Sequence, residues 1–218
     1  MGISLWATAR VKGTYNRYSK MRTQSGVTGA EVAERILLSA GISDVDIVAT
    51  DSFLGDHYDP IHKRLVLSRA NFLGDSPAAL GVSAHECGHA IQHKIAYAPL
   101  HWRMAAVGLV TFVNPVVTYL PFVGLGIGLA PQTLMLILAI AWGVIMLFNM
   151  ITLPVEFDAS RRAKMILQKA GFVNQQEAVA VDKVLDAAAF TYVAAFLTSL
   201  LYMLYYLLPL LLGGRRSD

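Results

Sequence analysis

Three stretches of this sequence contain no Asp, Glu, Lys or Arg: Ala105 to Ala130, Thr133 to Leu153 and Ala187 to Leu212. Each is longer than the ~20 helical residues needed to cross ~30 Å of hydrocarbon. That length sets them apart from helices buried in a soluble core. Composition agrees, since 55% of the 218 residues are hydrophobic and only 15% are charged, against about one quarter in soluble domains. The chain is expected to be a mainly α-helical integral membrane protein with about three transmembrane helices. The first run carries Asn114, Pro115, Pro121 and the glycine-rich "GLGIG", so a kink or break is expected within it.

The runs also set the expected domain boundaries. Residues 1–103 are polar enough to form an N-terminal α+β region, and 104–153 form a transmembrane hairpin. Residues 154–186 are a polar island of two helices parted at Gly171, 187–212 a C-terminal transmembrane helix, and 213–218 a tail. Of the 18 Lys and Arg residues, eleven lie in the front region, five in the island and two, Arg215 and Arg216, in the tail. A hairpin returns the island to the side of the front region, and the basic excess makes that side cytoplasmic. Three spans leave Arg215 and Arg216 on the other side, against the same rule. A net charge of +3, thinly spread, gives no footing for nucleic acid. The single cysteine, Cys87, excludes an internal disulfide. The opening "MGISLWATARVKG" has too short an apolar run for a secretory signal.

Within the front region, Thr28 and Glu31 stand at capping-box spacing ahead of an apolar stripe that Gly41 stops. "VDIVAT" and "KRLVLS" read as strands joined by the turn-rich "DSFLGDHYDPIH". Ser76 and Pro77 then open a helix of about 77–97, which Pro99 ends. Ahead of all this, "WATARVKGTYNRYSKM" alternates cations with aromatic residues. It suits either a membrane-interface segment or a surface helix.

The chemistry sits in "SAHECGHAIQH", Ser83 to His93. Residues four apart on a helix share a face, ~6 Å apart along the axis, so His85 and His89 can close on one zinc ion. Glu86 lies ~100° round from His85 and is placed as a base beside the metal rather than as a ligand. His93 is ~12 Å from His85 along the axis, too far to share that ion. A glycine turn returning a third histidine is also absent, because Gln92 and Ile95 stand where Gly and His are needed. His93 is left as a polar helix end or a contact behind the ligands. Gly88 permits close approach of a neighbouring element, and Cys87 points away as a small buried residue. The third ligand is expected to be Glu156 in "LPVEFDASRRA", which follows Pro154 where the chain leaves the second span. Asp158 and Ser160, on the same helix, are both candidates to bond the free ring nitrogen of a ligand histidine.

Taken together, "GDHYDP", "SAHECGHAIQ" and "PVEFDASRRA" make the chain resemble the YugP-like neutral zinc metallopeptidases, a bacterial membrane family, and more distantly the HtpX-type membrane proteases. The match runs in order along nearly the whole chain. The resemblance implies a zincin-like front domain carrying the HExxH helix in a multi-pass protein of the bacterial cell membrane. It also implies one Zn2+ per chain, held by His85, His89 and Glu156, with Glu86 as the catalytic glutamate. Relatives begin with a hydrophobic span ahead of "RVKGTYNRYSKM", where this chain has "MGISLWATA". Many gluzincins carry aspartate four residues after the glutamate ligand, where this chain has Ser160.

The expected activity is peptide-bond hydrolysis on a peptide or protein substrate. Zinc lowers the pKa of water from ~15.7 towards ~7 and polarises the scissile carbonyl, while Glu86 moves the proton to the leaving amine. His57, Tyr58 and His101 are candidates for stabilising the oxyanion, and the edge of "KRLVLS" for pairing with an extended substrate. The rival is a non-catalytic membrane scaffold braced by zinc, whose site would fill all four positions with protein ligands. His57, Asp59 and His62 form a weaker candidate for a second metal site. Besides substrate, the expected partners are the lipid bilayer and either further copies of the chain or other membrane proteins.

Overall fold

The computed structural model describes residues 2–52 and 55–213. Phe53 and Leu54 of the expected turn, and the tail with Arg215 and Arg216, lie outside the described residues. In chain order the elements are α1 (Gly2–Tyr18), α2 (Gly29–Ser39), β1 (Asp46–Thr50), β2 (His57–Asp59), β3 (Arg64–Ser68), α3 (Arg69–Phe72), α4 (Pro77–Lys94), α5 (Ala98–Gly126), α6 (Pro131–Lys169) and α7 (Gln175–Gly213). The fold is a mainly helical membrane protein with a small α+β part, and α5, α6 and α7 are long and apolar enough to cross a bilayer.

Local chemistry sets the front elements. The capping box of α2 is complete: the Thr28 hydroxyl accepts from Glu31 N at 3.3 Å, and the Glu31 carboxylate accepts from Thr28 N at 2.8 Å. Gly41, at φ +67°, takes the left-handed turn that ends this segment. The helix α4 opens with Ser76 Oγ accepting from Ala79 N at 3.1 Å and Pro77 in the first turn. It stops at Lys94, sooner than expected, because Ala96 turns left-handed at φ +52°. Pro99 does not end α4. It sits in the first turn of α5, where its missing N–H costs no hydrogen bond.

The expected loop between the two strands contributes a third. The sheet order is β1-β3-β2, with β1 parallel and β2 antiparallel to β3. "KRLVLS" therefore has neighbours on both edges, which corrects the expectation that it offers an edge to substrate. Its Leu65 and Leu67 are fully buried and join Val32 and Ile36 of α2, Leu80 and Cys87 of α4, Leu167 of α6, and Val181 and Leu185 of α7 in one core. Each such fully buried aliphatic side chain contributes about 1.5–3 kcal/mol. The front region and the island thus share a single core.

The first span shows no break, one of the two outcomes expected of it, and the second runs on past its expected end. α5 is a single helix through Pro115 and Pro121, and "GLGIG" is where it stops, at Gly126, with Gly128 at φ +72° in the turn. Likewise Pro154 lies inside α6 instead of opening a new helix, so membrane span and island helix are one element up to Lys169. Gly171, at φ +70°, makes the expected break before α7. Glu156 consequently sits in mid-helix, away from the first turn where a helix dipole would favour its charge. Its position needs another explanation, and α4 supplies it. A Cβ on Gly88 would lie 2.8 Å from the backbone oxygen of Ala159. Only glycine lets α4 and α6 approach this closely, and that approach brings the histidines against Glu156.

Candidate metal centre

His85 and His89, one turn apart on α4, present their rings edge to face with centroids 4.7 Å apart. Facing them from α6, Glu156 Oε2 lies 3.2 Å from His85 Nε2 and 3.6 Å from His89 Nε2. One ligand atom from each of the three residues falls within 4.8 Å of the others, a group that could hold a metal ion. Glu156 is 1% exposed, and an unpaired charge buried there is costly.

The far sides of the rings are also held. Gln92, fully buried, donates through Nε2 to Val155 O at 2.8 Å and to Asp158 Oδ2 at 3.0 Å. Its Oε1 is left to accept from His89 Nδ1, 3.0 Å away. Ser160 Oγ stands 3.1 Å from His85 Nδ1. Gln92 thus leaves the His89 Nε2 lone pair facing the carboxylate, and where Ser160 accepts from His85 Nδ1 in the same way the His85 Nε2 lone pair faces it too. Three acceptors facing one another repel unless a cation sits among them, and imidazole and carboxylate are donors that zinc accepts. The donor set therefore fits zinc. Burial pushes the His89 imidazole down, but hydrogen bonding and attraction to Glu156 outweigh it and leave the ring above its ordinary value. A proton is thus the metal's competitor at this site.

Ser160 touches His85 directly, whereas Asp158 reaches His89 only through Gln92. Asp158 is itself clamped by Arg161 and by Arg162 Nε at 2.6 Å. Gln92→Ala is expected to weaken zinc binding ~10–100-fold, the usual effect of losing a partner behind a ligand, with helix content unchanged. Competition against a chromophoric chelator measures this, and an unchanged affinity would show that the Gln92 bridge is idle.

Glu86 is 7% exposed and makes no hydrogen bond or ion pair among the described residues. It lines a cavity of about 270 Å³, shared with His85, His89, Glu156, Arg103 and Tyr192. A smaller cavity of about 160 Å³, walled by Val82, Leu185, Ala188 and Ala189, meets the same His85, Glu86 and Glu156. The remaining candidates are more dispersed. His57 and Tyr58 belong to β2 and line the larger cavity. His57 Nδ1 bonds the Gly55 carbonyl oxygen at 2.8 Å, and the Tyr58 hydroxyl bonds His93 Nδ1 at 2.9 Å. His93 thus braces β2 and stays off the metal group. The His101 ring lies next to His93, with centroids 6.4 Å apart, and does not line the cavity. His57, Asp59 and His62 do not gather as a second metal site. Among the described residues the one group that could hold a metal is His85, His89 and Glu156. Asp59 instead caps a turn, accepting from the ring and backbone of His62 and from Ile61 N, and these bonds pull its carboxyl down to about 2.

Three residues here escape a reading of the sequence. Gln92 is a buried amide one turn past His89, a spacing that does point to it. Arg103 is the last charge before the first apolar run, and its Nη1 lies 3.2 Å from Glu156 Oε1 in an ion pair not aligned as a hydrogen bond. Tyr192 is one of several tyrosines in an apolar run, and nothing local singles it out.

The family model described as "Putative neutral zinc metallopeptidase" matches residues 1–211. The chain is also 42% identical over 218 residues to the "Putative membrane protease YugP" of Bacillus subtilis (strain 168), covering 100% of this chain and 96% of that protein. No solved structure matches it.

Proposed function

We propose that this chain, which belongs to the neutral zinc metallopeptidase family, hydrolyses peptide bonds in the cavity where α4, α6 and α7 meet. The observation that carries this reading is an unpaired Glu86 carboxylate in the same cavity as three converging ligand atoms. His85, His89 and Glu156 would hold the ion. Zinc bound there supplies a Lewis acid that brings the pKa of water towards ~7 and polarises a carbonyl.

The protein's own groups do the rest. Glu86 takes a proton from the attacking water and gives it to the amine nitrogen as the C–N bond breaks. Ser160 and Gln92 hold the two rings from behind through Nδ1, keeping Nε2 of each turned to the ion site. Arg103 and Tyr192 are the donors for the carbonyl oxygen as it gains negative charge. His57 and Tyr58 line the same cavity and stand beside them as candidates for that role, while His101 does not line it. β2 is one of the two edge strands of the sheet and lines the cavity. An extended substrate adds to its open side, with main-chain hydrogen bonds supplying affinity.

The scaffold reading asks for a fourth protein ligand, and among the described residues the group has three. An open position beside a cavity favours hydrolysis. Purified protein is expected to carry about one zinc per chain, in keeping with a three-ligand catalytic site. Removing the metal with a chelator should stop proteolysis of a general substrate, and restoring zinc should return it. Full activity in metal-free protein would overturn the proposal. By the Lys and Arg count the site faces the cytoplasm. An impermeant reagent that labelled residues of the front region from outside intact spheroplasts would contradict that orientation.

A further inference from the structure

Away from the metal centre, Arg10, Arg17 and Lys183 surround a cavity of about 490 Å³ between α1 and α7. None of the three has an ion-pair partner among the described residues. The one acid at the cavity, Asp186, is engaged by Lys164 Nζ at 2.6 Å. The guanidinium groups are held by aromatic faces instead. Arg10 lies 5.3 Å from the centre of the Trp6 ring and 5.6 Å from that of Phe190, and Arg17 lies 5.6 Å from that of Tyr18. Cation–π contacts orient a cation without neutralising it, so the cavity keeps its positive charge.

Its height on the molecule is as telling as its charge. α1 runs antiparallel along α7. The Ser4 hydroxyl meets that of Thr198 at 3.0 Å, the Trp6 ring meets Phe190 at 5.3 Å, and Tyr15 and Tyr18 pack with Ala180 and Val184. Arg10 therefore stands beside Phe190, ~5 Å along the helix axis into the uncharged run that starts at Ala187. Arg17 and Lys183 stand on the polar side of Ala187. On the apolar side, Leu5 is 71% exposed and Trp6 53% exposed, an aromatic and an aliphatic side chain where acyl chains would lie.

We infer that this cavity binds the phosphate group of an anionic phospholipid, with the headgroup among Arg10, Arg17 and Lys183 and the acyl chains along Leu5 and Trp6. Basic pockets between helices at the cytoplasmic surface of a membrane recognise such headgroups. A free phosphate offers the same charge, but nothing that uses the apolar half of the site. The bound lipid would tie α1 to α7. Through Tyr15, Tyr18 and Ala78 it would also steady the first turn of α4.

The test uses the full chain in neutral detergent, titrated with phosphatidylglycerol, phosphatidylcholine or inorganic phosphate, with bound lipid read by native mass spectrometry. Phosphatidylglycerol is expected to bind in preference to phosphatidylcholine and to resist equimolar phosphate. Joint substitution Arg10→Gln, Arg17→Gln and Lys183→Gln should weaken it on the order of a hundredfold, and Arg10→Gln alone roughly fivefold. Lys12→Gln removes the same charge from α1 outside the cavity and should bind like the parent. Should the triple variant fail to fold, Arg10→Lys with Arg17→Lys must retain binding that Arg10→Gln weakens. The inference is overturned by equal binding of the two lipids, by displacement with equimolar phosphate, or by a neutralised cavity that binds normally. A loss in Lys12→Gln as large as in Arg10→Gln would also overturn it, because diffuse charge would then explain the binding.

Discussion

Glu86→Gln is expected to slow peptide hydrolysis by ~10²–10⁴-fold, the usual contribution of a positioned general base, while zinc content stays at that of the parent. The amide has the shape of the carboxylate but cannot take a proton. Glu86 touches neither ligand ring through a hydrogen bond, and it has no ion-pair partner to lose among the described residues. The ligand group on α4 and α6 should therefore survive the change. Metal analysis and proteolysis, measured on the same preparation, separate the two effects. Proteolysis at the parental rate would remove Glu86 from the mechanism, and loss of zinc would mean that it supports the ion instead.

Glu156→Gln, the same chemical change on the opposite helix, should have the reverse signature. Here the carboxylate lies 3.2 Å and 3.6 Å from the two imidazole nitrogens. Neutralising it removes the negative charge that a divalent cation needs among two neutral rings. Zinc affinity is expected to fall by more than ~100-fold, beyond the range for losing a partner behind a ligand, and activity should fall with it. Excess zinc should recover part of that activity, as it cannot for Glu86→Gln. The change also leaves Arg103, 30% exposed at its side chain, without its anion, so a modest loss of stability should accompany it. Parental zinc affinity in Glu156→Gln would rule out Glu156 as a ligand. Two isosteric substitutions in one cavity thus distinguish a base from a ligand.

Much of this site is legible in the chain because helical geometry is local. The four-residue spacing of His85 and His89, the capping box at Thr28 and Glu31, and the stop at Gly41 each depend on residues within one or two turns. Glu156 is reachable as well, because an uncharged hairpin must return the chain to its starting side. Errors arise where local punctuation loses to context. Pro154 reads as a helix start but lies inside α6, because the span before it and the island after it continue one hydrogen-bonded helix. Asp158 and Ser160 stand ~200° apart on α6, and only the packing of α4 against Ala159 between them brings both within reach of the histidine helix. A buried amide, Gln92, takes up Asp158 and leaves His85 to Ser160.

On its own, the sequence determined that the chain has three helical runs long and apolar enough to cross a membrane, that two histidines and a glutamate share a helix, and that a later carboxylate returns to their side. Those facts follow from hydropathy and from the 3.6-residue period, which neighbouring residues impose. Only the tertiary structure decided that β3 is the central strand, that α1 lies along α7, and that Arg103 and Tyr192 enter the cavity. Each of those depends on pairing between segments far apart in the chain, where periodicity shows which face is apolar but not which partner covers it.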